Sequence, residues 1–124
     1  MQPNSHMELS SINISALHKV VSNIGGEDPE FLIELIDSYL DSSQSLLQEL
    51  YTSLIPQNFM VMERAVHTLR SSSSLIGADD LAALCRELEI NLRNQKYEAV
   101  DIKINRIADE YTNVKAELEN AKYH

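Results

Sequence analysis

Apolar residues recur at three- and four-residue intervals along most of this chain, the spacing that puts them on one face of a helix. A short first helix carries Ile14, Leu17, Val21 and Ile24, with Ser11 or Asn13 as its cap and Gly25 and Gly26 as its stop. Asp28, Pro29 and Glu30 spell the next start: an N-cap, a proline whose missing N–H is harmless in the first turn, and an acidic group at the positive end of the dipole. Leu32, Leu35, Ile36, Tyr39, Leu46, Leu50 and Leu54 then hold a near-heptad stripe that ends before Pro56. Asn58 caps a third helix, and Gly77 closes it in a tight reversal through Ala78 to Asp79. Leu81, Leu84, Cys85, Leu88 and Leu92 form the following stripe, stopped by the turn at 94–96. Val100, Ile104, Ile107, Tyr111, Val114 and Leu118 form the last. One-sided stripes joined by short connections predict an all-α fold: an antiparallel up-and-down four-helix bundle with an additional short N-terminal helix covering one end.

The segment 58–76 divides into two arcs when wound at about 100° per residue. Met62, Ala65, Val66, Leu69, Ser72, Ser73 and Ile76 fall on an apolar or small arc that faces the core. Met60, Glu63, Arg64, His67, Arg70, Ser71 and Ser74 fall on the other. A single imidazole is therefore displayed to solvent among guanidiniums and small hydroxyls. Four successive serines are poor helix formers that compete for backbone hydrogen bonds, so stability alone does not account for them. On the inner arc, Ser72 and Ser73 allow a neighbouring helix close while returning their hydroxyls to the preceding turn. On the outer arc, Ser71 and Ser74 leave open space into which a large partner can descend.

Composition narrows the classes. The 124 residues fit one domain with a genuine core, taken as 8–124, and the segment 1–7, M-Q-P-N-S-H-M, reads as an expression-tag remnant with a second start at Met7. Three glycines, three prolines and no tryptophan favour long helices over a many-stranded sheet. The net charge of −9 argues against a nucleic-acid partner, because polyphosphate binding needs clustered Lys and Arg. It also makes the positive pair Arg64 and Arg70 beside His67 more informative. The single Cys85 precludes an internal disulfide and falls at an apolar position, so a reducing cytoplasm is the expected location. No apolar run reaches membrane-spanning length, and no membrane insertion is expected.

The chemistry left to this pattern is narrow. Paired E-x-x-H helices for a di-iron site are absent, Glu63 preceding His67 by four rather than three, and no metal site is expected. No glycine-rich phosphate loop supports nucleotide binding, and a helical surface offers no strained nucleophile turn or oxyanion hole. The chain reads as a non-enzyme. His18 is read as boundary packing and Cys85 as core filler, while Tyr39 and Tyr111 are expected as core aromatics with their hydroxyls at the surface.

Residues 65–89, A-V-H-T-L-R-S-S-S-S-L-I-G-A-D-D-L-A-A-L-C-R-E-L-E, resemble the histidine-containing phosphotransfer (HPt) domains of bacterial multistep phosphorelays, which read approximately A-H-x-L-K-G-S-S-x-x-x-G-A-x-x-L-x-x-x-C-x-x-L-E. The stretch 25–40, G-G-E-D-P-E-F-L-I-E-L-I-D-S-Y-L, is similar to the family's entry into its second helix. Arg70 replaces the usual lysine and keeps its charge, and Ser71 replaces the usual glycine. The resemblance implies a phosphoacceptor at His67, a phosphate-stabilising charge at Arg70 and a turn at Gly77 and Ala78. A docking rim is expected from Met60, Glu63, Arg64, Ser71 and Ser74, with Leu17 and Phe31 at neighbouring helix ends as further candidates. The implied partners are receiver domains of response regulators and hybrid sensor kinases. No cofactor belongs to the chain itself, Mg²⁺ being expected on the receiver, and a monomer is expected. The alternative is an interaction module that docks receiver or kinase domains without carrying phosphate.

Overall fold

Side-chain caps fix where the first three helices begin in the computed structural model, which describes residues 10–24 and 28–123. The segment 1–7, expected as a tag remnant, and the glycine stop expected at 25–26 lie outside the described residues. Asn13 starts α1 (Ile14–Ile24), its Oδ1 accepting from the Ala16 amide at 3.1 Å. Asp28 caps α2 (Pro29–Thr52) through the Glu30 amide at 3.0 Å, with proline in the first turn. Asn58 does the same for α3 (Phe59–Leu75) through Val61 at 3.1 Å. The next helix, α4 (Asp79–Arg93), has no side-chain cap but begins with two aspartates and ends on an arginine, the polarity its dipole favours. Finally α5 (Val100–Ala121) follows a connection whose Ala99 has φ +58°.

The end of α3 is a Schellman closure. Ala78 N–H donates to Ser73 O at 2.8 Å and Gly77 N–H to Ser74 O at 3.2 Å, with Gly77 at φ +89°. The Asn13 amide donates to Gly77 O at 2.7 Å, which fastens the start of α1 to this reversal. Residues 10–12 are clipped to α5 by one carboxylate: Glu117 accepts from Ser10 Oγ, Ser11 N and Ile12 N at 2.8–3.0 Å.

Each of the four long helices packs against its neighbours in sequence, and α2 also meets α5, which closes the ring of an up-and-down bundle. Short connections force that order. Ile36, Leu50, Met62, Leu69, Leu88, Ile107 and Leu118 are all fully buried along its axis. Every residue of the stripe expected on α5 is in this core. Among the described residues, no helix is long and apolar enough to cross a membrane.

Three expectations need correction. The stripe of α1 is buried only at Leu17, with Ile14 and Ile24 exposed, because this helix touches only one end of the bundle, chiefly at α3. On α2, Leu40 and Leu47 enter the core, while Leu46 and, in the turn beyond the helix end, Leu54 pack at its edge. The tyrosine hydroxyls do not reach the surface: Tyr39 OH meets Ser73 Oγ at 2.7 Å in the interior, and Ser43 Oγ donates to Tyr111 OH at 2.9 Å. Burial raises the pKa of both phenols against those hydrogen bonds, so they act as neutral core links.

Candidate functional site

Burial of Met62, Ala65, Val66, Leu69 and Ser73 fixes the rotation of α3 about its axis and leaves His67 on the outer side. Its side chain is 48% exposed. The hydroxyls around it are turned back onto the helix: Thr68 to Arg64 O at 3.1 Å, Ser71 to His67 O at 3.2 Å and Ser72 to Thr68 O at 3.1 Å. Ser72 is only half-buried and Ser73 is fully buried. Ser73 departs from the expected back-bonding, because its hydroxyl is used across the interface on Tyr39.

The residue that organises the site comes from the facing helix. Glu89 of α4 is 3% exposed in its side chain, yet three donors converge on its carboxylate. His67 Nδ1 stands 2.6 Å from Oε2, Arg70 Nε 2.6 Å from Oε1, and Arg93 Nη2 2.7 Å from Oε2. Burial raises the pKa of this carboxyl, but the hydrogen bonds from Arg70 and His67 and the charges of Arg70 and Arg93 outweigh it. The net effect holds Glu89 below the ordinary glutamate range. An ionised carboxylate can only accept, so Nδ1 must carry its proton. Arg70 Nη2 also approaches Nδ1, at 3.4 Å, but the shorter contact decides the tautomer. The lone pair of neutral His67 is thereby left on Nε2, the ring nitrogen not tied to the interior.

Beside the ring is a shallow hollow of about 320 Å³ lined by Met60, Glu63, Arg64, His67 and Arg93. Three of the expected rim residues therefore share one depression with the imidazole. Met60 is 76% exposed and gives the rim its apolar element. Glu63 is not free, since its carboxylate accepts from Arg93 Nε at 3.3 Å. Arg70 joins through Glu89, and Ser71 and Ser74 are exposed further along α3, outside the hollow. Leu17 is buried and offers no rim, while Phe31 is half-buried. A larger hollow of about 510 Å³, lined by Ser10–Ser15 with Gly77, Asp79 and Asp80, contains none of the residues grouped around Glu89. Cys85 is fully buried, and burial, together with the negative Glu89, pushes its thiol up to about 12 despite Arg70.

Sequence reasoning used Glu89 only as a motif letter and passed over Arg93. A signal for both was present: a carboxylate at an inward position of the α4 stripe needs a partner, and an arginine stands four residues beyond it.

The family model for the Hpt domain matches residues 34–117, well over half of the chain. Histidine-containing phosphotransfer protein 1 of Arabidopsis thaliana is 30% identical over 94 residues, which cover 74% of this chain. The chain spans about 61% of the length of that relative. Among solved structures, histidine-containing phosphotransfer protein B of Pseudomonas aeruginosa superposes with a TM-score of 0.82 at 21% identity, covering 93% of this chain and 96% of that one. A histidine-containing phosphotransfer protein from maize superposes at 0.79 and 16% identity, over 94% and 86% of the two chains. These structures share the helical-bundle fold, and the match at the level of sequence covers both α3 and α4, where His67, Arg70 and Glu89 meet. The chain belongs to the Hpt domain family.

Proposed function

We propose that this chain is a phosphocarrier of two-component signalling in which His67 takes a phosphoryl group from a receiver-domain aspartate, or from a kinase, and passes it to a response regulator. The observation that carries this reading is the half-exposed imidazole hydrogen-bonded at 2.6 Å to a buried, ionised carboxylate. With the proton held at Nδ1, Nε2 is a nucleophile free of any need for a base. Its lone pair attacks the phosphorus in line as the P–O bond to the aspartyl carboxylate breaks, and the electron pair leaves on that carboxylate. The neutral ring becomes a phosphorylated imidazolium, and Glu89 faces the positive charge that develops. Onward transfer is the same exchange in reverse, the next aspartate displacing the ring. Arg70, tied to Glu89 and close to the ring, would offset the charge of the transferred group.

In this reading the receiver brings Mg²⁺ and most of the positioning, and this chain has no independent catalytic activity. A shallow, half-exposed site suits a carrier that must offer one atom to different partners, receiver domains and sensor kinases among them. We further propose that it acts as a monomer in the cytoplasm.

Mixing the protein with a phosphorylated receiver tests the reading. Acid-labile, base-stable label on this chain supports it, and His67→Gln is expected to keep the fold and lose the label. Co-elution with the receiver and no label on this chain would instead indicate a docking module.

A further inference from the structure

Arg93 is held between two carboxylates of unequal strength. Its Nη2 lies 2.7 Å from Glu89 Oε2 in the interior, and its Nε lies 3.3 Å from Glu63 Oε2 at the edge of the hollow. Glu89 is buried and also fixed by His67 and Arg70, so that contact is anchored. The contact with Glu63 is longer, and both its partners are open to water, the Arg93 side chain being 57% exposed. Long ion pairs in water are weak and exchange readily. Glu63 precedes His67 by four residues on α3, so the two side chains present themselves on the same face to the same guanidinium.

We propose that Arg93 holds the phosphoryl group once it is on His67, and that Glu63 keeps this guanidinium in reserve while the histidine is bare. The proposal rests on His67 as the acceptor. A phosphoryl dianion carries more charge than Glu63 and offers three acceptor oxygens to a fork of N–H donors. Arg93 keeps Glu89 through Nη2 and exchanges Glu63 for the phosphoryl oxygens through its remaining donors, releasing Glu63 to solvent. Arg64 on α3 is the other charge lining this hollow, Glu89 on α4 and Arg70 on α3 stand beside it through the His67 contact, and none of them needs to change partner. Glu63 thus sets how firmly the phosphoryl group is held. With that carboxylate competing, the group is retained less tightly and is more easily passed on.

The test uses phosphoramidate as donor: the His67 N–P bond forms as the donor P–N bond breaks and ammonia leaves. The phosphohistidine ³¹P shift is then followed against pH to find where the phosphoryl group passes from monoanion to dianion. Arg93→Met is expected to raise that midpoint by about one unit, because a cation that pairs with the dianion is lost. Glu63→Gln is expected to lower it. The exchange itself is read from the double variant, in which Glu63→Gln should lose most of its effect once Arg93 is absent. Equal Glu63→Gln shifts in the presence and absence of Arg93 would overturn the proposal, since they would mean simple charge addition. So would an unmoved midpoint in Arg93→Met, and Arg93→Gln serves if that variant does not fold. Phosphorylation that persists in His67→Gln would instead refute the acceptor assignment on which the proposal rests.

Discussion

Glu89 on α4 and His67 on α3 are joined at 2.6 Å across the interface between their helices, a buried carboxylate to one nitrogen of a half-exposed ring. If that contact fixes the tautomer and meets the charge formed on phosphorylation, Glu89→Gln should slow uptake from a phosphorylated receiver. Loss of a hydrogen bond to a charged group corresponds to about 10- to 100-fold in rate. The glutamine keeps the volume, so helical content should be unchanged. Uptake at the wild-type rate would show that the carboxylate has no part in the reaction.

The same carboxylate links stability to pH. Its folded-state pKa lies below the ordinary glutamate value of 4.5, so its contribution is fully present above that value and is lost as pH falls through the depressed folded value. The melting temperature should therefore fall more steeply below about pH 4.5 in the wild type than in Glu89→Gln. Parallel curves for the two proteins would mean that the ion cluster around Glu89 contributes nothing to folding.

Inside the bundle, the hydroxyls of Tyr39 and Ser73 tie α2 to α3 at 2.7 Å. Tyr39→Phe or Ser73→Ala alone leaves one buried hydroxyl without this partner and should cost about 1–2 kcal/mol in denaturant unfolding. The double variant should cost less than the sum, because it removes both polar groups together. Strict additivity would contradict the contact.

Gly77 is constrained twice. Its φ of +89° disfavours a side chain, and a Cβ there would stand 2.8 Å from Asn13 O, the backbone that starts α1. Gly77→Ala should destabilise the fold by at least about 1–2 kcal/mol by thermal or chemical unfolding. An alanine variant of wild-type stability would mean that this reversal is not closed as described.

The starts of α1, α2 and α3 were legible because they are written in local chemistry. Asn13, Asp28 and Asn58 each sit where a side-chain oxygen meets an amide of the first turn. The outward position of His67 followed from the same periodicity. What the pattern could not supply depends on which helices meet. Ser73 was read as bonding along its own helix because its partner, Tyr39, is 34 residues away. Glu89 was legible as a motif letter, but its role requires α4 to lie beside α3, where it reaches His67, 22 residues away. Ile14 and Ile24 keep helical spacing and still face solvent, because periodicity does not show how much of a face finds a partner.

The central claim is that Glu89 commits Nδ1 of His67 to the protein and leaves Nε2 to the phosphoryl group. The most direct measurement is heteronuclear NMR on the ¹⁵N-labelled protein after phosphorylation by a receiver, reading which ring nitrogen is coupled to ³¹P. The account predicts coupling at Nε2 of His67 with Nδ1 still protonated. Phosphorus on Nδ1, or on any other residue, would contradict it.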